Sequence, residues 1–220
     1  MSKVLAFLGA AALSFAAWGQ EIAPDQLVQK ITEEVLAAIK SDKQLAAGDK
    51  QKALKLAEEK VLPYIDFEQA TRLAVGRAWS QASPEQKKRL VSEFRNMLVR
   101  TYSNAIEGYQ GQTLKVLPSR GEPKSDEATV RTQFVRAGGQ PLPIDFQMRK
   151  TEKGWKVFDI AVEGVSLVLT YRSEFDAVVK QEGIDGLIKR LAQKNTPAAV
   201  GGSAPKSEKS EKSPAKAEKK

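Results

Sequence analysis

The sequence predicts an α+β fold, in which a twisted antiparallel sheet of about four strands packs against several helices and encloses an apolar cavity. Three observations support this prediction. Apolar residues recur every three to four positions over residues 24–108, and the period changes to two over residues 113–162. The segment 154–175 then joins a strand that is apolar on both alternating faces to a glycine and a helical pattern.

The first half of the chain is predicted to be helical. A helix opens at Pro24, because proline is favoured at the first helical position. Its apolar residues lie four apart, at Leu27, Ile31, Val35 and Ile39. A second helix covers residues 49–62 before a proline ends it. Asp66 with Gln69 is a capping-box pattern that opens a short helix, and Gly76 can end it.

The longest predicted helix starts at Ser83, where the order Ser-Pro-Glu-Gln supplies a cap, a proline at the first position and a glutamine three residues after the cap. One wide apolar stripe follows and ends at Gly108. The stripe consists of Leu90, Phe94, Met97, Leu98, Tyr102, Ala105 and Ile106.

Strand patterns then cover residues 113–117, 128–136, 142–150 and 155–162, with turn-rich segments between them. Short connections favour antiparallel pairing of the last three strands. The third strand alternates between apolar and more polar positions, so it has one dry and one wet face. The apolar positions are Leu142, Ile144, Phe146 and Met148. The helices are expected to cover this dry face.

The chain after the last strand is predicted to be helical again. Gly164 breaks the strand, and Ser166 can cap the helix that follows. We expect two helices, over residues 166–182 and 185–194. The first carries its apolar residues at helical spacing, at Val168, Tyr171, Phe175, Val178 and Val179.

Composition excludes most catalytic chemistry. The 220 residues include no cysteine and no histidine, so thiolate nucleophiles, imidazole bases, disulfides and zinc-type sites are absent. We predict no metal and no cofactor. The formal charge is +8, but residues 196–220 contain six lysines against three glutamates. Because basic residues and aromatics are not interleaved in a stripe, we also predict no nucleic-acid partner.

Three regions follow from hydropathy. Residues 1–19 are predicted to be a signal peptide, because the apolar run after Lys3 is shorter than the roughly 20 residues that span a bilayer. An uncleaved membrane anchor is the alternative. Residues 20–195 are predicted to be one soluble domain, since that length can bury its own core. Residues 196–220, rich in Lys, Glu, Pro and Ala, are predicted to be disordered.

Two phrases in the chain resemble a known family. Residues 155–175 read W-K-V-x-D-I-x-V-E-G-V-S-L-V and then Y-R-S-x-F, and residues 74–79 read AVGRAW before the SPEQ helix start. In this order they resemble the periplasmic phospholipid-binding proteins of the Mla pathway, the MlaC or toluene-tolerance family, over roughly residues 20–195.

The resemblance implies a periplasmic carrier, and no enzyme, that holds the acyl chains of glycerophospholipids inside its fold. It implies shuttling between an outer-membrane lipoprotein complex and the lipid-binding subunit of an inner-membrane ABC transporter complex, which maintains the lipid asymmetry of the outer membrane. The lipid-binding residues predicted on this basis are Tyr102, Ile106, Phe134, Ile144, Phe146, Met148, Phe158, Ile160, Val162, Val168 and Tyr171. Ordinary core packing is the alternative for each of them.

Other readings of the same segment remain open. Asp159 and Glu163 lie four apart, and a carboxylate pair would suit a periplasmic hydrolase, although Asp159 is rather expected to turn outward or to pair with a cation. A nucleophile elbow at Ser166 lacks its second glycine, which is Val168 here. Arg172 is a candidate phosphate contact or a solvated side chain. An interaction module without a ligand is a third possibility.

Overall fold

The computed structural model describes residues 22–103, 111–118, 126–136 and 138–196. The predicted signal peptide, residues 104–110 at the end of the longest predicted helix, and residues 197–220 of the predicted tail lie outside these ranges. None of the helices in the described ranges is both long and apolar enough to span a bilayer.

Six helices precede the sheet and one follows it, within the described residues. They are α1 (Pro24–Ser41), α2 (Lys43–Ala46), α3 (Lys50–Lys60), α4 (Phe67–Val75), α5 (Ala78–Gln81), α6 (Pro84–Ser103) and α7 (Arg172–Lys194). Short 3₁₀ turns occupy Leu62–Tyr64 and Leu169–Tyr171. The predicted helical first half is therefore confirmed over the ranges that the structure describes.

Local capping fixes where these helices begin. The backbone N–H of Gln69 donates to the Asp66 carboxylate at 3.0 Å. Ser83 and Gln86 form a reciprocal capping box, in which each backbone N–H donates to the other side chain, at 3.0 and 3.2 Å. Gly76 ends α4 with φ of 63°, a conformation that favours glycine. The predicted starts of α4 and α6 and the end of α4 are confirmed.

The prediction for the last helix was wrong at its start and right about its break. Ser166 lies in a short strand, and α7 begins only at Arg172. Pairing with the preceding strand holds the chain extended through Ser166, which a local helical pattern does not reveal. At Gly183 the backbone leaves the helical region, with φ of 71° and ψ of −177°. The two halves of α7 match the two helices expected.

Within the part of the chain that the structure describes, the sheet has five antiparallel strands in sequence order. They are β1 (Thr113–Val116), β2 (Glu127–Val135), β3 (Leu142–Thr151), β4 (Gly154–Val162) and β5 (Val165–Ser166). The prediction of about four strands missed β5, which has two residues. The predicted dry face of β3 is confirmed, because Met148 is buried and Phe146 packs against the same apolar cluster. The opposite face is half-buried at Asp145 and Gln147 and is therefore not fully exposed to water.

Three apolar clusters hold these elements together. Helix α1 packs on the sheet through Leu27 and Val28, which join the buried Met148 and Trp155. The second cluster lies between α4, α6 and α7, and in it Phe94 makes edge-on ring contacts of 5.4 Å with both Tyr171 and Phe175. The third joins α1, α2 and α3, with Ile39, Leu45, Ala53 and Leu56 buried.

A β-bulge interrupts the pairing of β3 with β4. Gln147 lies opposite Asp159 and Met148 lies opposite Val157, so Phe158 is an extra residue in β4. A bulge of this kind bends the strand and redirects side chains. The bulge therefore determines which face of the sheet each apolar side chain of β4 occupies.

A two-residue turn connects β4 to β5. Val162 lies opposite Val165, and the residues between them, Glu163 and Gly164, both have positive φ, of 51° and 80°. Two consecutive left-handed residues are typical of a type I′ hairpin turn, which favours Asn-Gly or Gly-Gly. Glu163 is therefore held in a conformation that its side chain disfavours.

Replacing Glu163 with glycine should relieve this strain. We expect Glu163→Gly to stabilise the fold by about 1 kcal/mol, because a left-handed non-glycine residue costs roughly that much. For a domain of this size that is a rise in Tm of about 2–4 °C. Glu163→Ala is the control, since it removes the charge but keeps the Cβ. An equal rise in Tm for both variants in thermal unfolding would assign the effect to charge.

Candidate functional site

An apolar cavity of about 340 Å³ lies between β4, the helices α3, α4 and α6, and the chain that follows β5. Its lining is aliphatic and aromatic apart from one carboxylate and one phenol. The lining residues are Ala53, Leu54, Ala57, Val61, Leu62, Ile65, Phe67, Ala70, Leu98, Val99, Tyr102, Val157, Phe158, Asp159, Ile160, Leu167 and Val168. A cavity of this size and chemistry suits a hydrocarbon ligand.

The helical walls come from regular stripes. In α3, Leu54, Ala57 and Val61 follow one another three and four positions apart, and so they share one face. In α6, Leu98 and Tyr102 do the same one turn apart. The presence of alanines in the stripe of α3 leaves room between this helix and the sheet, which larger side chains would fill.

The sheet wall is made by the bulged part of β4. Val157, Phe158 and Ile160 all line the cavity, which a regular strand would not allow, because successive residues point to opposite faces. The bulge at Phe158 permits this arrangement. At the edge of the strand the backbone N–H of Asp66 donates to the Val157 carbonyl at 2.7 Å, which anchors the start of α4 against the sheet.

Asp159 is the charged residue of the described lining, and its position overturns the expectation that it turns outward or pairs with a cation. It is only 7% exposed. Its carboxylate accepts hydrogen bonds from the backbone N–H groups of Ile160 at 2.8 Å and Val168 at 3.1 Å, and from the Ser166 hydroxyl. These donors compensate for its burial, since a buried carboxylate needs such partners.

The proposed carboxylate pair is not formed in the cavity. Glu163 is exposed at the β4–β5 turn and is not part of the lining, whereas both oxygens of Asp159 already accept hydrogen bonds. Ser166 is likewise engaged, because its hydroxyl donates to Asp159 and accepts the Leu169 N–H at 2.9 Å. This geometry supports neither a hydrolytic pair nor a serine nucleophile.

The phenol at one end of the cavity faces a second tyrosine. Burial raises the pKa of Tyr171 well above its ordinary value, and the nearby Tyr102 hydroxyl adds to this rise. Tyr171 therefore stays protonated at neutral pH. Its ring packs against Phe94 and Phe175 in the helical cluster, so it is one layer behind the cavity wall.

Arg172 lies outside the lining. Its side chain is exposed, and its guanidinium group approaches the backbone of Gly76, where a Cβ would lie 3.1 Å from Nε. A phosphate contact by Arg172 stays a prediction. The φ of 63° at Gly76 is what disfavours a larger side chain at this C-cap, since the exposed Arg172 side chain could move aside.

The predicted site residues divide into four groups. Those that line the cavity are Tyr102, Phe158, Ile160 and Val168. Those on the same sheet face but outside this lining are Phe134, Ile144, Phe146, Met148 and Val162, and Met148 is fully buried. Tyr171 belongs to the neighbouring cluster, and Ile106 lies outside the described residues. Their contacts with lipid stay predictions.

Sequence reasoning missed the contribution of α3 and of the segment that follows it. Ala53, Leu54, Ala57, Val61 and Leu62 line the cavity, although the sequence indicated only an apolar helix face there. The stripe itself was visible. Its partner, a bulged strand about a hundred residues later, could not be inferred from periodicity.

Comparison with known proteins agrees with this geometry. The family model described as "MlaC protein" matches residues 29–193. A solved structure of a phospholipid-binding protein from Ralstonia solanacearum, in complex with a phospholipid, is similar to this chain with a TM-score of 0.71 and 35% identity. The alignment covers 79% of this chain and 97% of that one.

Two characterised relatives are more distant in sequence. The intermembrane phospholipid transport system binding protein MlaC of Haemophilus influenzae is 23% identical, over 79% of this chain and 82% of that protein. The toluene tolerance protein ttg2D of Pseudomonas putida is also 23% identical, over 74% of this chain and 75% of that protein. Since the family model covers most of the described domain, this chain belongs to the MlaC protein family.

Proposed function

We propose that this protein is a soluble periplasmic carrier of glycerophospholipids and that it catalyses no reaction. The observation that carries the proposal is the apolar cavity behind β4, in which the one carboxylate is already hydrogen-bonded. The phospholipid complex of the Ralstonia relative supports the same ligand class. The absence of cysteine and histidine from the sequence fits a binding role.

The hydrophobic effect explains why such a ligand needs an enclosed site. Two acyl chains of about 16 carbons expose on the order of 25 kcal/mol of transfer free energy to water, at about 0.8 kcal/mol per methylene. A lipid therefore does not leave a bilayer alone on a useful timescale. Each methylene that is buried in an apolar cavity regains about 0.8 kcal/mol of this free energy, which brings transfer between membrane and protein closer to balance.

A balanced transfer lets docking partners set its direction. We infer that the protein moves lipid between an outer-membrane lipoprotein complex and the lipid-binding subunit of an inner-membrane ABC transporter complex, and so maintains outer-membrane lipid asymmetry. Support comes from the transport-system name of the Haemophilus relative and from the predicted signal peptide at residues 1–19. Hydrolysis by Asp159 and Glu163 receives no support from their positions.

Native mass spectrometry of the purified protein without its predicted signal peptide tests the ligand. We expect a mass increment that organic extraction identifies as glycerophospholipid, because the cavity would otherwise stay unfilled or hold water against apolar walls. An empty protein that cleaves an ester or glycan would instead support the hydrolase. An empty and inert protein would indicate an interaction module.

A charge placed in the cavity should separate binding from folding. Val99 is half-buried on α6 and lines the cavity. We expect Val99→Asp to lose co-purified phospholipid and to remain folded, since water can enter the vacated cavity and solvate the carboxylate. Ser92→Asp, on an exposed position of the same helix, is the matched control. Circular dichroism and phosphate analysis of extracts provide the readout, and a folded Val99→Asp with full lipid content would contradict the site.

An aspartate placed on the sheet face, at Phe146, should affect folding as well as lipid binding. Phe146 is half-buried and packs against the cluster of Met148, Trp155 and Val157. Phe146→Asp should therefore place a charge among packed side chains and destabilise the fold by about 3 kcal/mol or more. If this variant instead folds normally and only loses lipid, the ligand site extends along the sheet to Phe146, as the family resemblance implied.

A further inference from the structure

One part of the cavity wall differs in construction from the rest. Residues 165–169, which we call the wall segment, contain the two-residue strand β5 and the start of a 3₁₀ turn. Leu167 and Val168 face the cavity, whereas Val165 and Leu169 are 42% and 44% exposed. The outer side of this segment therefore has little apolar packing to hold it in place.

Backbone pairing of the wall segment is also short. Val165 and Ser166 pair with the end of β4, and the Leu167 N–H then donates to the Ile160 carbonyl at 2.8 Å. Because β5 is the last strand of the sheet order, no further strand among the described residues supports its outer edge. On the other side of the cavity the start of α4 is attached to the strand itself, since the Asp66 N–H donates to the Val157 carbonyl at 2.7 Å.

Asp159 continues the attachment where backbone pairing stops. Its carboxylate accepts the Val168 N–H at 3.1 Å and the Ser166 hydroxyl, and that hydroxyl accepts the Leu169 N–H at 2.9 Å. The buried Asp159 carboxylate thus accepts hydrogen bonds from both the backbone and a side chain of the wall segment. Hydrogen bonds to a charged group are stronger than neutral ones, and so this contact contributes a large part of the attachment.

We propose that the wall segment is the part of the cavity that opens when a lipid enters or leaves, and that Asp159 is the positioning residue that keeps it closed. This inference rests on the proposed carrier function. The turn at Glu163 and Gly164, with φ of 51° and 80°, is the hinge about which the segment swings. Swinging outward exposes Asp159 to water, which replaces the lost hydrogen bonds, so opening is reversible.

Asp159→Asn tests this role with little change of shape. The amide retains one acceptor oxygen but loses the charge. Its NH₂ group takes the place of the oxygen that accepts from the Ser166 hydroxyl, so that hydrogen bond is lost in its present direction. We expect this variant to transfer pyrene-labelled phosphatidylglycerol to acceptor vesicles of phosphatidylethanolamine and phosphatidylglycerol about tenfold faster than the parent protein. That factor corresponds to the loss of one hydrogen bond to a charged group.

A stability-matched control separates a specific effect from general loosening. Thr132 is 1% exposed, and its hydroxyl donates to the Ile144 carbonyl at 2.6 Å on the same sheet but outside the cavity lining. Thr132→Val should lower the Tm and leave the transfer rate unchanged. Equal acceleration by Asp159→Asn and Thr132→Val, or no acceleration by Asp159→Asn, would overturn the inference. Failure of the parent protein to transfer any lipid would instead overturn the carrier function.

A disulfide provides an independent test if Asp159→Asn does not fold. Ala161 and Ser166 lie directly opposite each other, and the bond from Leu167 to Ile160 shows that they form a non-hydrogen-bonded pair, where side chains approach closely. The chain contains no other cysteine. The oxidised double variant Ala161→Cys/Ser166→Cys should transfer lipid at least about tenfold more slowly than its reduced form, the converse of losing the charged hydrogen bonds. Equal rates in the two redox states would contradict a moving wall segment.

Discussion

Strand β4 has to bury apolar side chains in two places, and the helices are arranged around that requirement. Val157 and Ile160 belong both to the cluster under α1 and to the cavity lining, whereas Trp155 belongs to the cluster alone and Phe158 to the lining alone. A regular strand would point Val157 and Ile160, which are three positions apart, to opposite faces, so one extra residue is needed to bring both to the same face. The bulge at Phe158 meets this need.

Stability and binding draw on different parts of the molecule. Three buried clusters hold α1 to the sheet, α4 to α6 and α7, and α1 to α3, and this chain has no disulfide to assist them. The cavity lies between these clusters and contributes less packing than a filled core would. A ligand that fills it should therefore raise the Tm through its preference for the folded state.

Local interactions could be predicted from the sequence, and long-range contacts could not. The caps at Asp66 and Ser83 and the alternation in β3 depend on residues within a few positions of each other. By contrast, Ser166 has helix-start chemistry but lies in a strand, because Asp159 and β4 hold it extended. The inward turn of Asp159 was also hidden, since its donors only become neighbours after the hairpin forms. Thirteen of the seventeen lining residues were missed for the same reason, as helices such as α3 meet β4 only in the folded chain.

The sequence order of the strands has a consequence for how the chain folds. A meander can assemble one hairpin at a time, because each strand pairs with the one made just before it. Helix α1 is different, since Leu27 and Val28 pack against Met148 and Trp155, more than a hundred residues later. A growing chain makes α1 long before its partner sheet exists, and its apolar face is exposed meanwhile. The apolar face of this first helix can therefore be covered only after β3 and β4 have paired, which makes the docking of α1 a late step of folding.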